Sequence, residues 1–224
     1  MTASSLLFAH ITRRPDDQID LALAALLIGE VEQPELDVAP WMAEIDALAQ
    51  AAAERAGEGA GPAERLGAVV DLLFGELGFR GNDRDYYDPR NSCLHEVLAR
   101  RVGIPISLSV LLMVVGERIG LEIEGLAFPG HFMVKWQGTI LDPFFGGARI
   151  ERAELAERLA RLSGTQVDVE GPLPVATRRQ ILTRMLNNLR GIYQRRQDAE
   201  RGKFVTERLA LLSAPVEQGP GGSN

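Results

Sequence analysis

His131 and Asp142 are the residues whose types and placement first suggest chemistry. His131 opens an extended segment and Asp142 closes the segment after it, with Gln137-Gly138 between them as a two-residue turn. On adjacent antiparallel strands, such a pair comes close enough for a carboxylate to orient an imidazole, which equips a histidine for general-base work. A cysteine or serine at a buried helix N-terminus would complete a nucleophilic triad, because helix-end amides and the helix dipole lower a thiol's pKa. The two residues also admit a second reading. His131 follows Phe128-Pro-Gly and Asp142 precedes Pro143, and both are common places for turn formers.

Other chemistries find little support. The histidines and scattered acids lack zinc-ligand spacing, no P-loop occurs, and the glycine-rich stretches do not follow a strand in dinucleotide-binding order. Neither a cofactor nor a metal is therefore expected. One cysteine excludes an internal disulfide and a Cys-rich metal motif. The net charge of −7 offers no bulk attraction for nucleic acid or anionic lipid. Arg178, Arg179, Arg184, Arg190, Arg195 and Arg196 fall close together, and their spacing reads as a solvated helix face. The opening residues lack a basic stretch ahead of a long apolar one, and Leu108–Val115 is about half a membrane span. The expected address is cytoplasmic, away from any membrane.

The elements that must position the His-Asp pair follow from periodicity. The region up to residue 80 reads as helices. One runs from Asp20 to Gly29, a second starts near Pro40, and a third carries Leu66, Val69, Val70, Leu73, Phe74 and Leu77 on one stripe stopped by Gly78. Asn91-Ser92 is placed to cap a helix over Cys93–Arg101. Gly103-Ile-Pro breaks the chain, and Ile106–Ile119 reads as an apolar helix buried on most sides. Extended segments follow at Glu122–Ala127, His131–Trp136 and Thr139–Leu141. Arg178–Arg195 and Asp198–Leu212 close the fold as a helical pair.

Four motifs, Tyr86-Tyr-Asp-Pro-Arg-Asn-Ser, Gly103-Ile-Pro-Ile-Ser-Leu-Ser, Phe128-Pro-Gly-His-Phe and Leu141-Asp-Pro-Phe-Phe-Gly-Gly, resemble those of the SirB-type transglutaminase-like proteins. The resemblance implies an α+β, predominantly helical fold. It would comprise a transglutaminase-like (papain-like) core with a small antiparallel sheet, N-terminal helices and a C-terminal tetratricopeptide-like hairpin. The implied divisions are a helical region at 1–80, the core at 81–170, the hairpin at 171–214 and a disordered tail at 215–224.

The wider superfamily uses a Cys-His-Asp triad, and His131 and Asp142 match its second and third members. The match fails at the first, because the helix that should open with cysteine reads Pro105-Ile-Ser-Leu-Ser, leaving Ser107 as the nearest nucleophile. A serine hydroxyl at neutral pH is far weaker than a thiolate and needs a well-placed base and an oxyanion hole. Ser107 also serves as a first-turn or capping residue without any chemistry. Cys93 is the substitute thiol, near the start of its own helix, although the family places an apolar core residue there. His95, two residues on, faces away from it. Three readings result. The first is a degenerate module that binds a protein or peptide. The second is a hydrolase or acyltransferase on amide or ester bonds, using Ser107 or Cys93 with His131 and Asp142. In the third, the His-Asp pair is a structural brace.

Overall fold

The computed structural model describes residues 3–164, 166, 169 and 171–214. The tail expected at 215–224 lies outside the described residues. The fold is a predominantly helical α+β arrangement with one small antiparallel sheet.

Its first part is helical: α1 (Ala3–Thr12), α2 (Leu21–Ile28), α3 (Ala39–Ala56) and α4 (Pro62–Val70). Asp20 caps α2 by accepting from the amide of Leu23 at 2.9 Å. α3 takes Pro40 in its first turn, where a missing N–H costs nothing, and stops at Gly57 with φ 89°. α4 runs on into a wider π-helical turn over Asp71–Glu76. The short strands β1 (Arg80–Gly81) and β2 (Val102–Gly103) pair in parallel around α5 (Leu94–Arg100). The expected cap at Asn91-Ser92 is arranged differently. Asp88 caps a 3-10 turn over Pro89–Ser92, and Cys93 takes the N-cap position of α5.

The centre of the molecule is α6 (Pro105–Arg118). Ile106, Leu108, Val110, Leu111, Leu112, Val114 and Val115 are buried around its whole circumference, as its uniform hydrophobicity requires. The sheet, β3 (Glu124–Phe128), β4 (His131–Trp136), β5 (Thr139–Asp142), β6 (Ala148–Ile150) and β7 (Val175–Ala176), packs against it in the order β6-β5-β4-β3-β7. Phe132 and Val134 of β4 join the cluster around α6. Met133 joins Leu126, Phe128, Ile140 and Ile150 on the opposite face, under Leu155 and Leu159 of α7 (Arg152–Ser163). With both faces buried, the strands lose the polar alternation of a half-exposed sheet. Gln137 (φ 44°) and Gly138 (φ 85°) make the β4–β5 turn in the left-handed conformations that a tight hairpin needs.

α8 (Arg178–Arg196) and α9 (Ala199–Leu212) complete the chain. Thr177 and Gln180 cap α8 reciprocally, at 3.2 and 2.9 Å. Ile181, Leu182, Met185, Leu186 and Leu189 of α8, with Val205 and Leu212 of α9, belong to the same buried cluster as α2 and α6. An almost fully buried Arg208 on α9 donates to Glu30 at 2.6 Å and to the Ser4 hydroxyl at 2.8 Å, tying the two ends of the fold together.

Candidate functional site

β4 and β5 are in register at Val134–Leu141, Lys135–Ile140 and Trp136–Thr139, which brings His131 and Asp142 to one end of the hairpin. Both alternate in the same sense as Met133 and Ile140, so they are diagonal neighbours on one face. His131 Nε2 lies 2.9 Å from Asp142 Oδ2. Asp142 is fully buried and His131 is 3% exposed. A carboxylate taken out of water needs partners, and Asp142 has three. Besides the imidazole, its Oδ2 receives Arg158 Nε of α7 at 3.3 Å, and its Oδ1 receives the amide of Phe144 at 3.2 Å. The last bond caps the 3-10 turn Pro143–Phe145, so the turn-forming and imidazole-orienting readings hold in the same residue. A neutral imidazole that donates from Nε2 to Asp142 has Nδ1 as its acceptor. Phe144 and Phe145 flank the ring at centroid distances of 6.1 and 6.2 Å, and Arg158 stacks 4.6 Å from the centre of Phe145.

His131 lines a cleft of about 400 Å³ together with Tyr86, the start of α6, and Arg184 and Asn188 of α8. Hollows of about 570 and 660 Å³ lie elsewhere and include neither His131 nor Asp142. The α6 residues at the cleft are Pro105 and Ile106, and Ser107 is not among its lining. Ser107 is completely buried. Its hydroxyl donates to Asn91 O at 2.6 Å and accepts from the amide of Ile104 at 3.1 Å. Gly103 makes room for it, since a Cβ there would stand 2.7 Å from the hydroxyl oxygen. Cys93 is equally buried, and its thiol donates to Pro89 O at 3.6 Å. Burial pushes its pKa well up, and the carboxylates of Glu32, Glu96 and Asp88 act in the same direction. The thiol is therefore protonated despite sitting at a helix start. Among the described residues, no hydrogen bond joins Ser107 or Cys93 to His131, and no three histidine, cysteine or acidic side chains gather to hold a metal.

Two arginines of the site had no clear signal in the sequence. Arg158 belongs to α7, whose apolar stripe is narrow enough to have passed unread. The spacing of Arg184 alone points to a solvated face. Arg184 instead donates from Nη2 to Phe128 O and His131 O, both at 2.8 Å, gripping the turn that presents the histidine. Its neighbours act similarly. Arg178 reaches Ile19 O at 2.7 Å, Arg179 reaches Leu212 O at 2.9 Å, and Arg195 stacks 4.2 Å from the Tyr87 ring centre. The missed signal was position, because Arg184 falls between Ile181 and Met185 on the buried side of α8.

A family model described as the transglutaminase-like superfamily matches residues 39–187, a span that contains α6, the sheet and the His-Asp pair. The chain belongs to this superfamily. It is 34% identical over 205 residues to a UPF0162 protein of Xylella fastidiosa strain 9a5c, an alignment covering 88% of this chain and 73% of that protein. A UPF0162 protein of strain Temecula1 is 33% identical over 214 residues, covering 92% and 76%. F-box only protein 21 of Mus musculus is 42% identical over 83 residues, which are 35% of this chain and 13% of that protein. No solved structure matches the chain. Among the described residues, no helix is long and apolar enough to cross a membrane.

Proposed function

We propose that this is a degenerate, non-catalytic transglutaminase-like protein that uses the cleft beside His131 to bind a protein or peptide. The observation that carries this reading is the α6 wall of the cleft. Pro105 and Ile106 are the side chains that the first turn of α6 brings to the His131 cleft, and neither has a nucleophilic atom. The hydroxyl of Ser107 and the thiol of Cys93 are buried, and their hydrogens are donated elsewhere. Within the superfamily we assign the chain to the SirB-type group, with α8 and α9 as its tetratricopeptide-like hairpin. That assignment rests on the four motifs and on the packing of the pair against the core. We place its action in the cytoplasm, where a single buried, unpaired cysteine is at home.

The retained His131–Asp142 pair favours a second reading, a hydrolase or acyltransferase on amide or ester bonds. In that reading Ser107 would be the nucleophile, His131 the base through Nδ1 and Asp142 the orienting group. Ser107 must then break its bond to Asn91 O and turn out of the core before it can react. Incubation of the folded protein with a fluorophosphonate and with iodoacetamide separates the two. The non-catalytic reading expects no label on Ser107 or Cys93. Labelling of either that disappears in His131→Ala would establish the enzyme.

A further inference from the structure

We infer that the cleft beside His131 is a carboxylate site, which receives an acidic group of a bound peptide. This rests on the binding reading above and names the chemistry that the cleft would recognise. The lining contains no aspartate or glutamate. Its polar side chains besides His131 are Tyr86, Arg184 and Asn188, and each offers a donor.

Arg184 decides the sign. It is half-buried and forms no ion pair among the described residues, its bonds going to the neutral carbonyls of Phe128 and His131 from one terminal nitrogen. Five donors fan out from a guanidinium, so two carbonyls on Nη2 leave others unspent. Burial lowers its pKa, the mark of a cation without a compensating anion, yet an arginine stays charged near neutrality. The Tyr86 hydroxyl is kept protonated, its pKa raised chiefly by burial, and it serves as a donor. Asn188 lies one helical turn beyond Arg184, on the same side of α8, and its amide has no partner among the described residues. The start of α6 reaches the cleft at Ile104–Ile106, so the positive end of a long buried helix faces the same space.

One unpaired cation with neutral donors around it matches a singly charged anion. A phosphate, carrying nearly two charges at neutral pH, would leave part of its charge uncompensated. A volume of about 400 Å³ accommodates the end or one side chain of a peptide. Both a C-terminal carboxylate and an Asp or Glu side chain provide the same group.

The test uses the full chain and three fluorescent peptide pools. The first has free C-termini and lacks Asp and Glu, the second is its C-amidated counterpart, and the third is amidated but contains Asp and Glu. Binding is read by anisotropy, with inorganic phosphate as competitor. The inference expects the first or third pool to bind and the neutral amidated pool not to bind; which of the two binds identifies the source. Arg184→Gln should weaken that binding about tenfold or more, the scale of one charge-assisted hydrogen bond. Arg184 also holds the His131 turn, so Asn188→Leu, which leaves those carbonyl contacts in place, is the companion variant and should weaken binding several-fold. Equal binding of the neutral pool would overturn the carboxylate assignment and leave the peptide-binding reading intact. Displacement by millimolar phosphate would make the site a phosphate site. Binding by no pool would overturn the inference, while the non-catalytic reading would still stand or fall on the labelling experiment.

Discussion

Replacing Ile106 by cysteine puts a thiol where α6 meets the His131 cleft, and its acidity depends on how close it comes to the imidazole. A free thiol titrates near 8.5, and a helix N-terminus lowers that by less than one unit. A thiolate about 4 Å from an imidazolium gains on the order of 4 kcal/mol at the effective dielectric of a partly buried site, equivalent to about three units. Burial opposes both, since Ile106 is 2% exposed; the ion pair is the larger effect at contact distance, so the net expectation is a pKa below that of a free thiol. Losing the isoleucine methyls costs about 1 to 2 kcal/mol, which leaves the fold intact. The assay is the iodoacetamide alkylation rate over roughly pH 5 to 10, read by mass spectrometry, with the wild type supplying the silent Cys93 background. His131→Ala should return the introduced thiol to about 8.5. Ser107→Cys should stay unreactive, because that position points at Asn91 O inside the core. If the thiol at position 106 titrates at 8.5 or above and ignores His131→Ala, Ile106 does not stand in the nucleophile's place. An alkylated thiol at position 107 would show that the register of α6 has been misread.

Three further outcomes follow from buried polar groups. Asp142→Asn leaves Arg158 without its carboxylate and puts a neutral group beside His131, so unfolding free energy measured in urea should fall by about 2 to 4 kcal/mol; an unchanged midpoint would remove the brace. His95 is 1% exposed with neither ring nitrogen hydrogen-bonded among the described residues, and burial lowers its pKa to about 4. Because the unfolded chain binds the proton more tightly, stability is full above about pH 6.5 and is lost as pH falls toward 4. That amounts to about 2 kcal/mol by pH 5, and His95→Leu should flatten this part of the denaturation profile. Glu30→Gln strands the buried Arg208 guanidinium and should cost about 3 kcal/mol in the same urea assay, whereas Glu30→Leu with Arg208→Met should restore most of it.

Much of this fold was legible because its strongest signals are local. The apolar run of α6, the β4 strand over His131–Trp136, the Gln137-Gly138 turn and the face of α8 all declare themselves within a few residues. α7 does not, because among its described side chains only Leu155 and Leu159 are buried, along a charge-rich segment. β1, β2 and β7 are two residues each, too short for a period to show, and they exist through long-range pairing. The site was half legible. His131 and Asp142 sit at strand ends that periodicity locates, but which residue of the α6 first turn faces the cleft turns on one helical step of about 100°. Motif spacing does not resolve that step. The structure supplies the direction, because Ser107 is drawn inward by Asn91 O and the capping amide of Ile104.

That direction bears on what the His-Asp pair does in a cleft whose α6 wall is apolar. Asp142 joins β5 to β4 through His131, to α7 through Arg158 and to the following turn through Phe144. Removing any one of these partners leaves a buried carboxylate under-compensated, so the fold needs the pair whether or not a substrate ever reaches it. The pair is therefore accounted for by packing as well as by chemistry. The cleft is also lined by Ile106, which is apolar, and by Arg184, which forms no ion pair among the described residues. Such a surface can hold an anionic group in place through Arg184.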